Sequence, residues 1–160
     1  MEKQVKGLLE QWESIRENSL SFIENLTDDE LNKKLPRKGL DTIRKHLTEM
    51  AEVEKDYVHA VESSVMDFNG PADSDISGNT SKSDLTKMMK EIDEELEKLL
   101  EKINVDKEIV WFGEKKSIAY HLSGLIAHEA LHVGQIIAFC YELNIEIPAD
   151  IVEAWALSGK

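Results

Sequence analysis

Four stretches of twenty-odd residues carry apolar side chains at spacings of three and four, separated by short runs rich in Gly, Pro, Asn and Ser. That spacing is the 3.6-residue period of a helix buried along one stripe. Over residues 3–25 the stripe includes Val5, Leu9, Trp12, Ile15, Phe22 and Ile23. Over residues 41–66 it includes Ile43, Leu47, Met50, Tyr57, Val58 and Val61. Residues 82–103 are amphipathic and laced with charge, and residues 117–143 complete the set. The expected fold class is therefore all-α, a four-helix bundle with short extra helices.

Local signals place the ends. Thr27-Asp28-Asp29-Glu30 has the form of a capping box and opens a short helix that ends before Pro36. Asp41 or Thr42 caps the second long helix and Ser117 the fourth. Pro148 sits near the first turn of a short last helix running through Leu157. Residues 104–116 read as a connection, with an extended piece at Ile109-Val110-Trp111-Phe112. The breaker-dense loop over 68–81 bears on topology. A 25-residue helix is about 38 Å long. Fourteen extended residues at about 3.3 Å each cover that distance. The second and third long helices are thus expected to run parallel, joined by a crossover, in an up-down-down-up bundle.

At 160 residues the chain is expected to form a single domain over 1–160. Its net charge of −13 argues against nucleic acid or an anionic membrane surface as partner, because both need clustered Lys and Arg. The lone Cys140 rules out an intrachain disulfide and a cysteine-rich zinc site, and reads as a buried small apolar residue. No hydrophobic leader is seen over Met1–Trp12, so a reducing cytoplasm is the expected compartment. No apolar run is expected to reach the length of a membrane span. The fourth long helix is nonetheless apolar nearly all round. Leu125, Ile136 and Phe139 share one side, and Leu122, Ile126 and Val133 lie opposite. Such a helix is covered either by a second copy of the chain, the expected homodimer, or by the terminal segments.

The chemistry concentrates in Ala127-His128-Glu129-Ala130-Leu131-His132-Val133-Gly134-Gln135-Ile136. Residues i and i+4 on a helix differ by about 40° in direction and about one turn in height, so His128 and His132 can bind one metal ion. A stable site needs at least one more His, Asp or Glu, from a facing helix. The second long helix offers His46, Glu49 and Glu54. On its wheel His46 and Glu54 fall inside the apolar stripe and Glu49 on the flank, so geometry alone favours His46 or Glu54 as the inward polar group. Gln135 projects to the His128 side and can hydrogen-bond a ligand or a substrate. His121 is expected to be a core or rim histidine, and Gly134 to mark close helix packing. His59 is given no role.

These stretches resemble the DinB-like (damage-inducible, YfiT-like) metalloenzyme superfamily. His128-Glu-Ala-Leu-His132-Val-Gly134-Gln135 is similar to its fourth-helix signature, and residues from Ile43 to Tyr57 are similar to its second helix. The resemblance implies a bundle with parallel second and third helices. It also implies a metal held by one residue of the second helix and by His128 and His132 of the fourth. In the register of Leu47, Ala51 and Glu54 the second-helix ligand maps onto Glu49, where family members usually carry histidine; His46 maps onto a neighbouring position. The metal set preferred here is Glu49, His128 and His132, with His46 and Gln135 as pocket or supporting groups and Glu129 as a candidate catalytic group.

Three functions follow as expectations. The first is a metal-dependent enzyme, a thiol S-transferase or relative, using zinc, nickel, manganese or iron and a low-molecular-weight thiol on a small-molecule substrate, as the resemblance implies. The second is a non-catalytic, metal-stabilised dimeric binding module. The third is a peptidase of the HExxH kind, with Glu129 as general base and a downstream ligand such as Glu153.

Overall fold

Each long helix after the first begins where a hydroxyl side chain accepts a backbone N–H. In this computed structural model, which describes residues 3–72, 75–104 and 106–158, those caps are Thr42, Ser81 and Ser117. The chain runs α1 (Lys3–Asn25), α2 (Asp28–Asn32), α3 (Ile43–Ser63), α4 (Lys82–Lys102), β1 (Glu108–Trp111), β2 (Glu114–Ser117), α5 (Ile118–Leu143) and α6 (Ala149–Ala154). The capping box at Thr27 and Glu30 forms as its sequence predicts. Residues 73 and 74 of the expected 68–81 loop and residue 105 of the 104–116 connection lie outside the described residues.

The up-down-down-up order holds, and polar contacts fix its directions. Arg44 at the start of α3 donates to the Thr80 carbonyl just before α4. Lys107, just after α4, donates to the Val61 carbonyl (2.5 Å) and to the Glu62 carbonyl (2.9 Å) at the end of α3. The two helices are therefore parallel. Lys82 at the start of α4 reaches the Glu24 and Leu26 carbonyls at the end of α1, so α1 runs the other way. α3 and α5 are antiparallel, with His46 meeting His132 near one end and Tyr57 meeting His121 near the other. α1 and α3 each pack against α4 and α5. The core at their centre includes Trp12, Phe22, Leu47, Met50, Met89 and Ile136.

Two expectations are corrected and one, the extended piece, is borne out and extended. The helix expected over 41–66 stops at Ser63, because Ser64 turns left-handed (φ 67°). Val65 then joins Val110 in a parallel bridge. The expected extended piece is one arm of an antiparallel hairpin whose second strand, Glu-Lys-Lys-Ser, has no apolar alternation to announce it. Its two-residue turn has positive φ at both Phe112 (47°) and Gly113 (80°), the geometry that matches strand twist. Finally, α5 is by length and composition apolar enough to cross a membrane. Here it is the core helix, with Leu122 and Val133 buried and α1 packed along it.

Gly134 also departs from expectation. It is exposed, and a Cβ there would meet nothing within 4 Å. Gly124 is the close-packed glycine: its Cβ would lie 3.1 Å from the Tyr57 hydroxyl and 3.2 Å from the edge of the Trp111 ring. Both substitutions to Ala gain helix propensity, but only one meets rigid neighbours. Gly134→Ala is expected to raise stability by about 0.5–1 kcal/mol. Gly124→Ala is expected to lower it, since overpacking costs about 1–3 kcal/mol. Urea midpoints of the two variants check this; a loss in Gly134→Ala would contradict the open geometry.

Candidate metal centre

Glu49 on α3 and His128 and His132 on α5 converge because the two helices are antiparallel and face each other at this height. Each offers one ligand atom, and the three atoms lie within 4.8 Å of one another, a group that could hold a metal ion. Glu49 Oε1 is 3.4 Å from His128 Nε2, and Glu49 Oε2 is 2.9 Å from His132 Nε2. At bonds of about 2.0–2.2 Å, two donors on one ion stand roughly 2.9–3.6 Å apart. The spacing therefore fits a cation. A second observation agrees: Glu49 Oε2 is buried and has no well-directed hydrogen bond despite the nearby imidazole. A buried carboxylate oxygen without a well-aimed donor is a position that a cation can satisfy.

Electrostatics favour the ligand forms. Burial alone would raise Glu49, but the His128 and His132 imidazoles overcome it and hold the carboxyl at about 2. It is a carboxylate at neutral pH, ready to bind a cation. His46, fully buried behind the triad, is pushed down to about 4 by burial first, then by His132 and Arg37. His46 is therefore neutral, and its Nδ1 lies 2.9 Å from His132 Nδ1. If His132 uses Nε2 toward Glu49 and the ion, its Nδ1 must carry the proton and donate it to His46. So His46 fixes the tautomer and ring plane of a ligand. It is also packed edge-on against Phe139, with ring centroids 5.0 Å apart.

The other named residues fall elsewhere. The Gln135 Oε1 is buried and has no hydrogen-bond partner. His121 is a core histidine, two turns from His128, whose Nε2 donates to the Tyr57 carbonyl at 3.0 Å; burial pushes it down to about 4. Cys140 is buried, and burial raises its thiol to about 12.

Glu129 is corrected. One residue of helical phase, about 100°, separates it from His128 and turns it toward α1. There its Oε1 accepts from Arg16 Nη1 (2.9 Å) and Ser19 Oγ (2.5 Å). A general base must face the reacting centre, and this carboxylate is engaged by Arg16 and Ser19 of α1. Glu153, the downstream ligand a peptidase would need, is exposed on α6. The HExxH reading is dropped on both counts.

What the spacing of histidines did not reveal is the cation behind the site. Arg16 is 2% exposed and reaches one carboxylate on each of the other three long helices. They are Glu54 on α3, Asp93 on α4 (3.3 Å) and Glu129 on α5 (2.9 Å). The Trp12 ring lies 4.5 Å from its guanidinium and donates to Asp93. The signal was present: Glu54 lies inside the apolar stripe of α3, and Arg16 shares a helix face with Trp12. A carboxylate buried in one stripe asks for a buried cation in another.

The fold and the donor set define a class: a four-helix bundle carrying a carboxylate–histidine site between its second and fourth long helices. Residues 1–149 match the model of the DinB family, and the chain belongs to that family. Comparison with curated proteins finds no match.

Removing Arg16 leaves the buried carboxyls of Glu54 and Glu129 without their cation, while Asp93 keeps its bond from Trp12. Arg16→Met is expected to cost about 3–5 kcal/mol at pH 7. The loss should shrink toward pH 5. Burial raises Glu54 well above its usual 4.5 despite Arg16, so it binds a proton more readily folded than unfolded. Its stabilising contribution is complete below 4.5 and is lost as pH rises through its folded value. Urea midpoints at pH 5 and 7 test this; an equal loss at both would contradict it.

Proposed function

We propose that Glu49, His128 and His132 bind a divalent ion (zinc, nickel, manganese or iron) and that the chain is a metal-dependent enzyme acting on a small molecule, a thiol S-transferase or a close relative. The observation that carries this is the convergence of three donors, one from α3 and two from α5, at ligand spacing. When bound, such an ion acts as a Lewis acid that lowers the pKa of a thiol or water at an open coordination position. Three protein donors leave that position available. Glu49 and the two imidazoles would orient the ion, and His46 would hold His132 in its binding tautomer. His128 is partly exposed, so the small molecule would enter from its side. The thiol, the small-molecule substrate and a cytoplasmic setting belong to this reading. Nucleic acid and membrane surfaces do not suit a chain at −13.

A homodimer forms part of the proposal, and the exposed face of α5 favours it. Ser123, Ala127, Leu131, Gly134, Ala138 and Tyr141 recur at spacings of three and four on the outside of the bundle, with no charge among them. In a chain with 32% charged residues that face suits a second copy. The same surface supports the alternative of a non-catalytic, metal-stabilised dimer, which a closed coordination sphere would favour.

Metal content of untagged protein, by inductively coupled plasma mass spectrometry, is the test. One ion per chain is expected in the parent, none in His128→Ala or Glu49→Ala, and a metal affinity weakened about 10- to 100-fold in His46→Ala, the usual effect of losing a ligand's supporting partner. No metal in the parent after reconstitution with zinc, nickel and manganese would sink the reading. For the dimer, sedimentation equilibrium of Leu131→Lys is expected to show half the mass of the parent. A parent that sediments as a monomer would refute it.

A further inference from the structure

We propose that Trp111 and Phe112 on the β-hairpin, together with Phe68, form a recognition wall for a flat apolar or aromatic group on the small molecule bound at the Glu49–His128–His132 centre. This rests on the proposed metal site and adds a substrate class to it.

The first observation is strain without a structural use. Phe112 occupies the first position of a tight hairpin turn with φ 47°, where Gly, Asn or Asp is the low-energy choice. A bulky aromatic residue in that region is an outlier. Its ring gains nothing from burial in return, since it is 85% exposed. A residue that disfavours its own backbone and stands in water suggests a use outside the fold.

The second observation is what surrounds it. The Phe112 ring centroid is 6.3 Å from both Phe68 and Trp111, and Phe68 and Trp111 are 6.0 Å apart. Phe68 is half-exposed and Trp111 half-buried. Two of the three rings are therefore open to solvent in one patch, at offsets suited to a further ring. Tyr57 supports the wall from behind, 5.5 Å from Trp111.

The third observation connects the wall to the metal centre. The edge of Trp111 lies over Gly124, 3.2 Å from where a Cβ would stand. Gly124 and His128 are i and i+4 on α5, one turn apart on the same face. α3 faces this run with Glu49 opposite His128 and, two turns on, Tyr57 opposite His121. Between them on α5 stands the half-buried Gly124, its open side filled by the Tyr57 hydroxyl and the edge of Trp111. A molecule reaching the metal centre from the His128 side thus meets, one turn away, the Trp111 ring that covers Gly124 and the aromatic faces beside it. The occupant we commit to is that molecule, not a second copy of the chain. The wall covers Gly124, one turn from the partly exposed His128; the uncharged stripe suited to a dimer runs beside it, with Leu131 about 20° from Gly124 on the wheel, and the two occupants are separated by the tests below.

Two arms test this. In the first, metal-free protein is mixed with 3-phenylpropan-1-ol, and saturation-transfer NMR reads contact through the ring protons. Transfer is expected in the parent, and its loss in Trp111→Ala and in Phe112→Asn. Phe112→Asn suits the left-handed turn, so its melting temperature should equal or exceed the parent's while ring contact falls; a merely structural Phe112 would not give that combination. No transfer in the parent, or transfer unchanged in Phe112→Asn, overturns the proposal. In the second arm, zinc-loaded protein is titrated calorimetrically with 3-phenylpropane-1-thiol and propane-1-thiol. The aryl thiol should bind about tenfold tighter, the scale of one good aromatic contact with its buried area. The advantage should vanish in Phe112→Asn, with propane-1-thiol unaffected. Equal affinities in the parent overturn the proposal. Failure of the metal reading shows differently: neither thiol binds the zinc-loaded protein, while the metal-free arm still decides the wall. Conversion of a sedimenting dimer to monomer in Phe112→Asn, without loss of ring contact, would assign the patch to a second copy and also overturn it.

Discussion

Arg16 is the interaction on which the arrangement depends. A single guanidinium at the centre of the bundle takes one carboxylate from each of α3, α4 and α5. Burying it by itself would be prohibitive, and burying the carboxylates without it equally so. The four helices therefore have to meet in one rotational setting. That setting fixes α5: with Glu129 turned to Arg16 and Ser19, His128 and His132 are left facing α3. α3 is fixed in the same way, since Glu54 inward at Arg16 leaves Glu49, on the flank, opposite the histidines. The candidate metal centre is thus a consequence of how the core charge is satisfied one helical phase away.

That phase relation explains what could be read in the chain before folding and what could not. The helices and most of their ends were legible because capping residues and apolar stripes act locally: Thr27 with Glu30, Thr42 and Ser117 all cap as their positions suggest. The histidine pair was legible because i and i+4 always share a face. The partner of the pair was not. The wheel of α3 put His46 and Glu54 inside the stripe and Glu49 on its edge, and all three placements are accurate. What the wheel lacks is the neighbour each direction meets. α3 packs against both α4 and α5, so the stripe centre points at the bundle axis and a flank points at α5 alone. Only the family register singled out Glu49.

Two misreadings share that origin. Glu129 looked like a base because HExxH is a pattern in sequence, but a base has to face the ion and this one faces α1. Arg16 passed unnoticed because its reason to be buried is spread over three other helices, at separations of 38 to 113 residues. The hairpin's second strand was missed for a different cause. Its order comes from the turn at Phe112 and Gly113 and from pairing with β1, and neither leaves an apolar alternation in Glu-Lys-Lys-Ser. These same non-local features carry much of what is proposed about function: His46 behind His132, and an aromatic hairpin one turn from His128.

The most direct test of the account is X-ray absorption at the zinc edge on zinc-loaded protein. The account predicts a first shell of nitrogen and oxygen scatterers at about 2.0–2.2 Å, with the outer-shell signature of two imidazoles and no sulfur unless a thiol is added. His132→Ala should remove one imidazole from that signature. A shell without imidazole scattering, or one unchanged by His132→Ala, would show that the ion sits elsewhere and that Glu49, His128 and His132 are not its site.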